Sequence, residues 1–201
     1  MPTLGGEVIA VAIFQRRIVP LCALVIDNVR LYFNHMIISI TKGSDRDWIK
    51  IEREDGSVVE TTFPKKGIIP HDAVHFHVER ELAMRAGFWG HVAGGTHPED
   101  IQHIVKQAGH ASSVRAATPD AHIVELLQAE RLVECFEADM WSEPSDYQTL
   151  RNVFSAACQS SHIDPPELSD DQIDTIRSSI SAFAKQWIAA EIGETFQLHW
   201  S

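Results

Sequence analysis

The apolar residues of this chain change their period once, and that change constrains the fold more than any other feature. Between residues 36 and 64 they recur at every second position: Ile38 and Ile40, then Ile49 and Ile51, then Val59, Thr61 and Phe63. From Pro70 onward the spacing is helical. A period of two turns one face of a strand toward a core, and a period of 3.6 does the same for a helix. Strands followed by helices predict an α+β fold: a small antiparallel β-meander of about three strands, followed by and packed on about five α-helices. The alternating order of a parallel βαβ sheet is excluded.

Turn chemistry sets the register. A two-residue loop at Asp55-Gly56 would place Ile51 opposite Glu60, setting an apolar residue against a charge. A three-residue loop Glu54-Asp55-Gly56, with Gly56 in the left-handed conformation, places Ile51 opposite Val59 and Ile49 opposite Thr61. Only the second register keeps one face apolar, and it is the one predicted. So small a sheet cannot bury its face alone, and the helix directly after the last strand is the nearest cover.

Helices are expected from Pro70 to residue 85 or 86, from Pro98 to Gly109, from Pro119 to about 140, from Asp146 to Ser160, and from Ser169 to a stop at Gly193. Thr118-Pro119-Asp120 supplies a capping hydroxyl, a first-turn proline and an acid at the start of the third. The glycines between 87 and 95 read as an interruption.

The first 35 residues differ from the rest. Their apolar runs, 8–14 and 18–26, are split by Gln15-Arg16-Arg17. Neither approaches the roughly 20 residues that span a bilayer, and a signal peptide would carry its basic residues ahead of the apolar stretch. The domain is therefore expected over 36–201, with 1–35 a poorly packed N-terminal extension or an over-called start. An extra hairpin or a peripheral anchor is the rival reading.

Charge narrows the partners. With 17 Lys and Arg against 28 Asp and Glu the net charge is -11, which argues against nucleic acid, whose binding rests on cations at the phosphates. The acidic excess lies in residues 115–201, with 15 acids against 5 bases, and reads as solvated helix faces or as a surface for a basic protein partner. Three scattered cysteines, Cys22, Cys135 and Cys158, make neither a disulfide framework nor a thiolate zinc site, and a reducing cytoplasm is the simpler expectation.

One motif carries chemistry. Residues 70–79 read Pro-His-Asp-Ala-Val-His-Phe-His-Val-Glu. At 100° per residue His71 and His75 share one arc with Val74, Val78 and Leu82, so two imidazoles one turn apart sit on the face that should be buried. His77, Arg80 and Glu81 point the other way. The i, i+4 spacing lets two ring nitrogens converge on one metal ion, a divalent metal such as zinc. Asp72 takes the place of the glutamate in the zinc-protease pattern His-Glu-x-x-His and is one methylene shorter.

A third ligand is then needed. Glu79 lies about 12 Å along the axis from His71, too far to share an ion with both rings without strain. Glu130 is the better candidate, four residues after Leu126 and three before Val133 on an inward stripe; Glu134 and His122 are weaker ones. The metal set is thus His71, His75 and Glu130, with Asp72 or Glu79 as catalytic base or as groups orienting the ligands. The competing reading is a structural polar cluster, since buried imidazoles need partners either way.

Other chemistries fare worse. Gly94-Gly95-Thr96 lacks a cation for phosphate, and neither Cys135 nor Cys158 sits at a strand-to-helix elbow. Two functions remain: a metal-dependent enzyme of hydrolase type, and a non-enzymatic module that binds protein through its acidic helices or exposed aromatics.

The run from Asp55 through Glu79 resembles a group of small uncharacterised bacterial proteins that share a strand-rich start and a Pro-His-Asp-x-x-His-Phe-x-Val-Glu helix. The likeness covers at most a third of the chain. It implies a bacterial source and a start near Met36, and it carries no activity with it.

Overall fold

Met36–Thr41 (β1), Arg46–Arg53 (β2) and Val58–Pro64 (β3) form the expected antiparallel meander in a computed structural model that describes residues 35–101, 103–105 and 119–201. Ile51 pairs with Val59 and Ile49 with Thr61. Arg53 N–H donates to Ser57 O at 3.0 Å and Gly56 N–H to Arg53 O at 3.0 Å, closing the three-residue loop. Gly56 has φ +82°, which the left-handed position of this loop requires. The expectations for residues 1–34, for Thr118 and for a helix end at Gly109 fall outside the described residues.

Among the described residues the sheet has four strands, one more than expected. Thr195–Trp200 (β4) pairs antiparallel with β1, giving the order β3-β2-β1-β4. Its Phe196, Leu198 and Trp200 share the face of Met36, Ile38 and Ile40. The last helix ends at Ala189, short of the expected stop at Gly193, and the chain then turns back: Gly193 N–H donates to Lys42 O at 2.8 Å just ahead of the new edge strand.

Helices follow as His71–Glu81 (α1), Phe88–Ala93 (α2), a helix beginning at 98 (α3), Ala121–Trp141 (α4), Tyr147–Ser160 (α5) and Asp170–Ala189 (α6). Helix α4 starts at Ala121 after Asp120, so Pro119 lies before the helix and not in its first turn. Ser169 and Gln172 form a reciprocal capping box at α6, where Ser169 Oγ accepts from Gln172 N–H at 3.2 Å and Gln172 Oε1 accepts from Ser169 N–H at 2.9 Å. Lys42 Nζ donates to Trp187 O and Ala190 O at 2.8 and 2.9 Å, satisfying carbonyls at the end of α6.

Two elements depart from the sequence reading, and both surround the motif. Helix α1 ends at Glu81 rather than 85 or 86, because Ala83 takes φ +51° and Met84 N–H returns to Glu79 O at 2.9 Å. The glycine-rich stretch after it holds the short helix α2. Between them α1 is buried on every side from Asp72 to Glu79, packed against α2, α4 and α6, with Phe76 6.2 Å from Trp200 of β4. The expected face is buried, Val74 and Val78 fully and Leu82 partly. The opposite face is buried too. His77, expected outward, is only 7% exposed because Phe183 of α6 covers it.

Candidate metal centre

Helix α1 presents His71 and His75 one turn apart, and α4 presents Glu130 and Glu137 two turns apart, across one interface. The imidazole Nε2 atoms of His71 and His75 face each other at 3.2 Å. Glu130 straddles them, with Oε1 3.6 Å from His75 Nε2 and Oε2 3.8 Å from His71 Nε2. These three residues offer ligand atoms that all lie within 4.8 Å of one another. Tetrahedral zinc bound at about 2.0–2.1 Å separates its nitrogen ligands by about 3.3 Å, so the two rings stand at ligand spacing. The carboxylate stands a few tenths of an ångström wide of it.

The far side of each ring is also held. His75 Nδ1 donates to Glu79 Oε1 at 2.8 Å, and His71 Nδ1 to Glu137 Oε1 at 2.8 Å. A metal-binding imidazole ordinarily gives its second N–H to a carboxylate or carbonyl, which fixes the tautomer and aims the free nitrogen. Here both rings are so aimed. Their free nitrogens converge instead of seeking separate partners.

Glu79 is the anchor of this arrangement. Its carboxylate is fully buried, and besides His75 it accepts the N–H of Phe88 at 2.9 Å and of Trp89 at 2.8 Å, the first two residues of α2. The helix of the glycine stretch therefore starts on a long-range anion. A Cβ at Gly87 would stand 2.5 Å from Glu79 Oε2, so this approach needs glycine. With three donors on its oxygens Glu79 holds His75 and does not reach the point where the nitrogens converge. Asp72 is buried, and its main-chain carbonyl accepts Trp89 Nε1–H at 2.8 Å. Burial raises the Asp72 carboxyl above the usual range against the opposing pull of His71 and His75. Glu134 instead pairs with Arg131 at the surface, and His122 is exposed, so neither joins the group.

Without an ion the cluster holds protons. Burial disfavours the His75 cation, but the carboxylates of Glu130 and Glu79 outweigh it and raise His75 to about 10. His71 is raised to about 9, where Glu130 and Glu137 overcome the same burial penalty. Burial also pushes Glu79 up, so the His75–Glu79 pair as a whole retains its proton. Glu130 goes the other way: burial alone would raise it, but the two imidazoles hold it well below the usual carboxylate range. A 3.2 Å gap between nitrogens accommodates one shared proton as a hydrogen bond but not two facing ones. A divalent cation would replace that proton.

The centre opens at one end. The His71 and Glu137 side chains are about a quarter exposed, Glu130 somewhat less, and His75 closed off. Glu137 is the residue the sequence reading missed. The signal was present, since Glu130 and Glu137 are seven residues apart on the stripe that includes Leu126 and Val133. No family model, curated protein or solved structure significantly matches this chain.

Proposed function

We propose that this chain binds one divalent transition metal, zinc being the best fit, through His71, His75 and Glu130, and that the centre serves hydrolysis. The single observation behind this reading is the orientation of the histidines: each Nδ1 is tied to a carboxylate while both Nε2 atoms converge with Glu130. Two nitrogens and one carboxylate are one of the three-ligand sets of catalytic zinc sites, which leave a coordination position open. An ion in such a site lowers the pKa of bound water and polarises the oxygen of a substrate. Glu79 and Glu137 orient the ligands. Asp72, with its raised pKa and its place beside the first histidine, is the candidate base for the attacking water.

Charge supports a cation here. Glu79, Glu130 and Glu137 find their ion-pair partners among the histidines, with no Lys or Arg recorded against them among the described residues. Carboxylates buried this deeply need positive charge nearby. Metal analysis of the purified protein tests the reading: about one zinc per chain in the wild type, and none retained by His75→Ala. A metal-free wild type that takes up no zinc when supplied refutes it.

A second reading is a non-enzymatic module that binds protein. Trp141, 69% exposed at the end of α4, and the exposed Ile188 of α6 favour it. The described residues contain no helix long and apolar enough to cross a membrane, so these side chains do not mark a helical span. Under this reading the histidine cluster is structural and zinc changes neither folding nor partner binding.

A further inference from the structure

The two helices that carry the metal set are joined a second time, by the chain entering α2. Helix α1 supplies His71 and His75, and α4 supplies Glu130. One turn after His75, Glu79 of α1 accepts the N–H groups of Phe88 and Trp89 at 2.9 and 2.8 Å. Five residues before Glu130, Glu125 of α4 accepts the N–H of Ala86 at 3.1 Å. Residues 86–89 are thus bonded to the same pair of helices that the metal set spans. Trp89 adds a bond from Nε1–H to Asp72 O at 2.8 Å, and the Phe88 ring packs 5.5 Å from the His75 ring. The far end of α2 is tied to the sheet by Arg53 of β2, whose Nε–H donates to Val92 O at 2.7 Å and Nη2–H to Thr96 O at 3.2 Å.

Two links across one interface support each other. Whichever forms first fixes the separation of the helices and lowers the ordering cost of the other. Glu79 carries the coupling most directly, since its Oε1 accepts from both Phe88 N–H and His75 Nδ1. With Phe88 and Trp89 undocked, Glu79 loses two of its three donors and with them the fixed position from which it aims His75. The turn that delivers the chain to α2 does not hold itself: Ala83 sits at φ +51°, a left-handed conformation that a residue with a Cβ adopts only at a cost.

We propose that residues 86–89 and the metal are coupled clips across the α1–α4 interface: zinc binding tightens the docking of α2, and release of α2 weakens the hold on zinc. The inference rests on the proposed metal centre and concerns its regulation. Anything that draws α2 off the domain lowers the occupancy of the centre, and by linkage zinc opposes that removal by the same factor.

The test measures zinc affinity and amide hydrogen exchange on the full chain. Arg53→Ala frees the far end of α2, and the bonds it removes, to Val92 O, Thr96 O and Ser57 Oγ, involve no metal ligand. Glu125→Ala frees Ala86. Each variant, shown to be folded by circular dichroism, should bind zinc about fivefold or more weaker than wild type, the scale of coupling between sites. In wild type, zinc should slow exchange at Phe88 and Trp89 beyond any slowing at the β1–β2 amides, which follow global stability. Folded variants that both bind zinc within about twofold of wild type overturn the inference and leave the metal centre standing. So does zinc binding that leaves exchange at Phe88 and Trp89 unchanged relative to the β1–β2 amides, a measurement that decides alone if the variants do not fold. A wild type that takes up no zinc overturns the centre, and the inference with it.

Discussion

His75 and His77 sit two residues apart on one helix, and both are buried, yet the fold treats them in opposite ways. His75 has a carboxylate on one nitrogen and His71 with Glu130 on the other, and it is raised to about 10. His77 has no hydrogen-bond partner on either nitrogen among the described residues and is packed between Phe76 and Phe183 at 5.4 and 5.7 Å. Burial, with a contribution from Arg80, lowers it to about 4. Desolvation acts on both rings. What separates them is the neighbouring helix: α4 brings glutamates and α6 brings phenylalanine. A buried histidine by itself therefore says little about function. A buried histidine whose second nitrogen is held so that the first is aimed at another donor says much more.

The largest effect should come from removing the anchor of the favoured side. Glu79→Ala strips the acceptor from three buried donors, His75 Nδ1–H and the N–H groups of Phe88 and Trp89. Breaking such a buried charged network costs about 3–5 kcal/mol, measured by urea unfolding, and should detach α2. A loss below about 1 kcal/mol would mean that Glu79 is not the link between α1 and α2.

His75→Ala comes next. In metal-free protein it should cost about 1–3 kcal/mol through lost packing and an unpartnered carboxylate. With zinc present the difference should widen, because ligand binding stabilises the wild type by mass action and leaves the variant unmoved. A chelator that lowers the wild-type melting temperature would show that added term directly. No change of melting temperature on mutation would contradict both the metal and the structural readings of this face.

The two histidines should also give metal-free stability opposite slopes in pH. The coupled His71–His75 pair is raised by its carboxylates and holds one proton between its Nε2 atoms, so its contribution is complete below the unfolded value of about 6.5 and is lost as the pH rises through the raised value of the pair. His77 is depressed, so its contribution is present above about 6.5 and is lost as the pH falls toward 4. His77→Leu should flatten the acid limb between pH 6.5 and 4 and leave stability at neutral pH unchanged or about 1 kcal/mol higher, since it removes an unsatisfied polar group. An acid limb with the wild-type slope in that variant would mean His77 has found a partner.

How far the sequence carried this account follows from where each signal resides. The β2–β3 register was readable because a single glycine and the apolar alternation of adjacent strands determine it. The start of α6 was readable because its capping box lies within four residues. By contrast β4 is six residues long, and its place beside β1 depends on pairing with residues some 160 positions away. Helix α2 is a glycine-broken segment whose start is set by Glu79, not by a local cap. His77 was read as outward because a helix with one apolar arc is expected to bury one face, whereas α1 is enclosed by sheet and helices together. The meeting of His71, His75 and Glu130 was legible from helical spacing; the part of Glu137 was not, because spacing alone does not say what the second nitrogen of a histidine requires.

The most direct test of the central claim is calorimetric titration of metal-free protein with zinc at pH 7, repeated in buffers of different ionisation enthalpy. The account predicts one zinc per chain, with release of about one proton, the one shared between His71 and His75, and no such binding by His75→Ala. Absence of zinc binding, or equal binding with no proton released by wild type and His75→Ala alike, would contradict it.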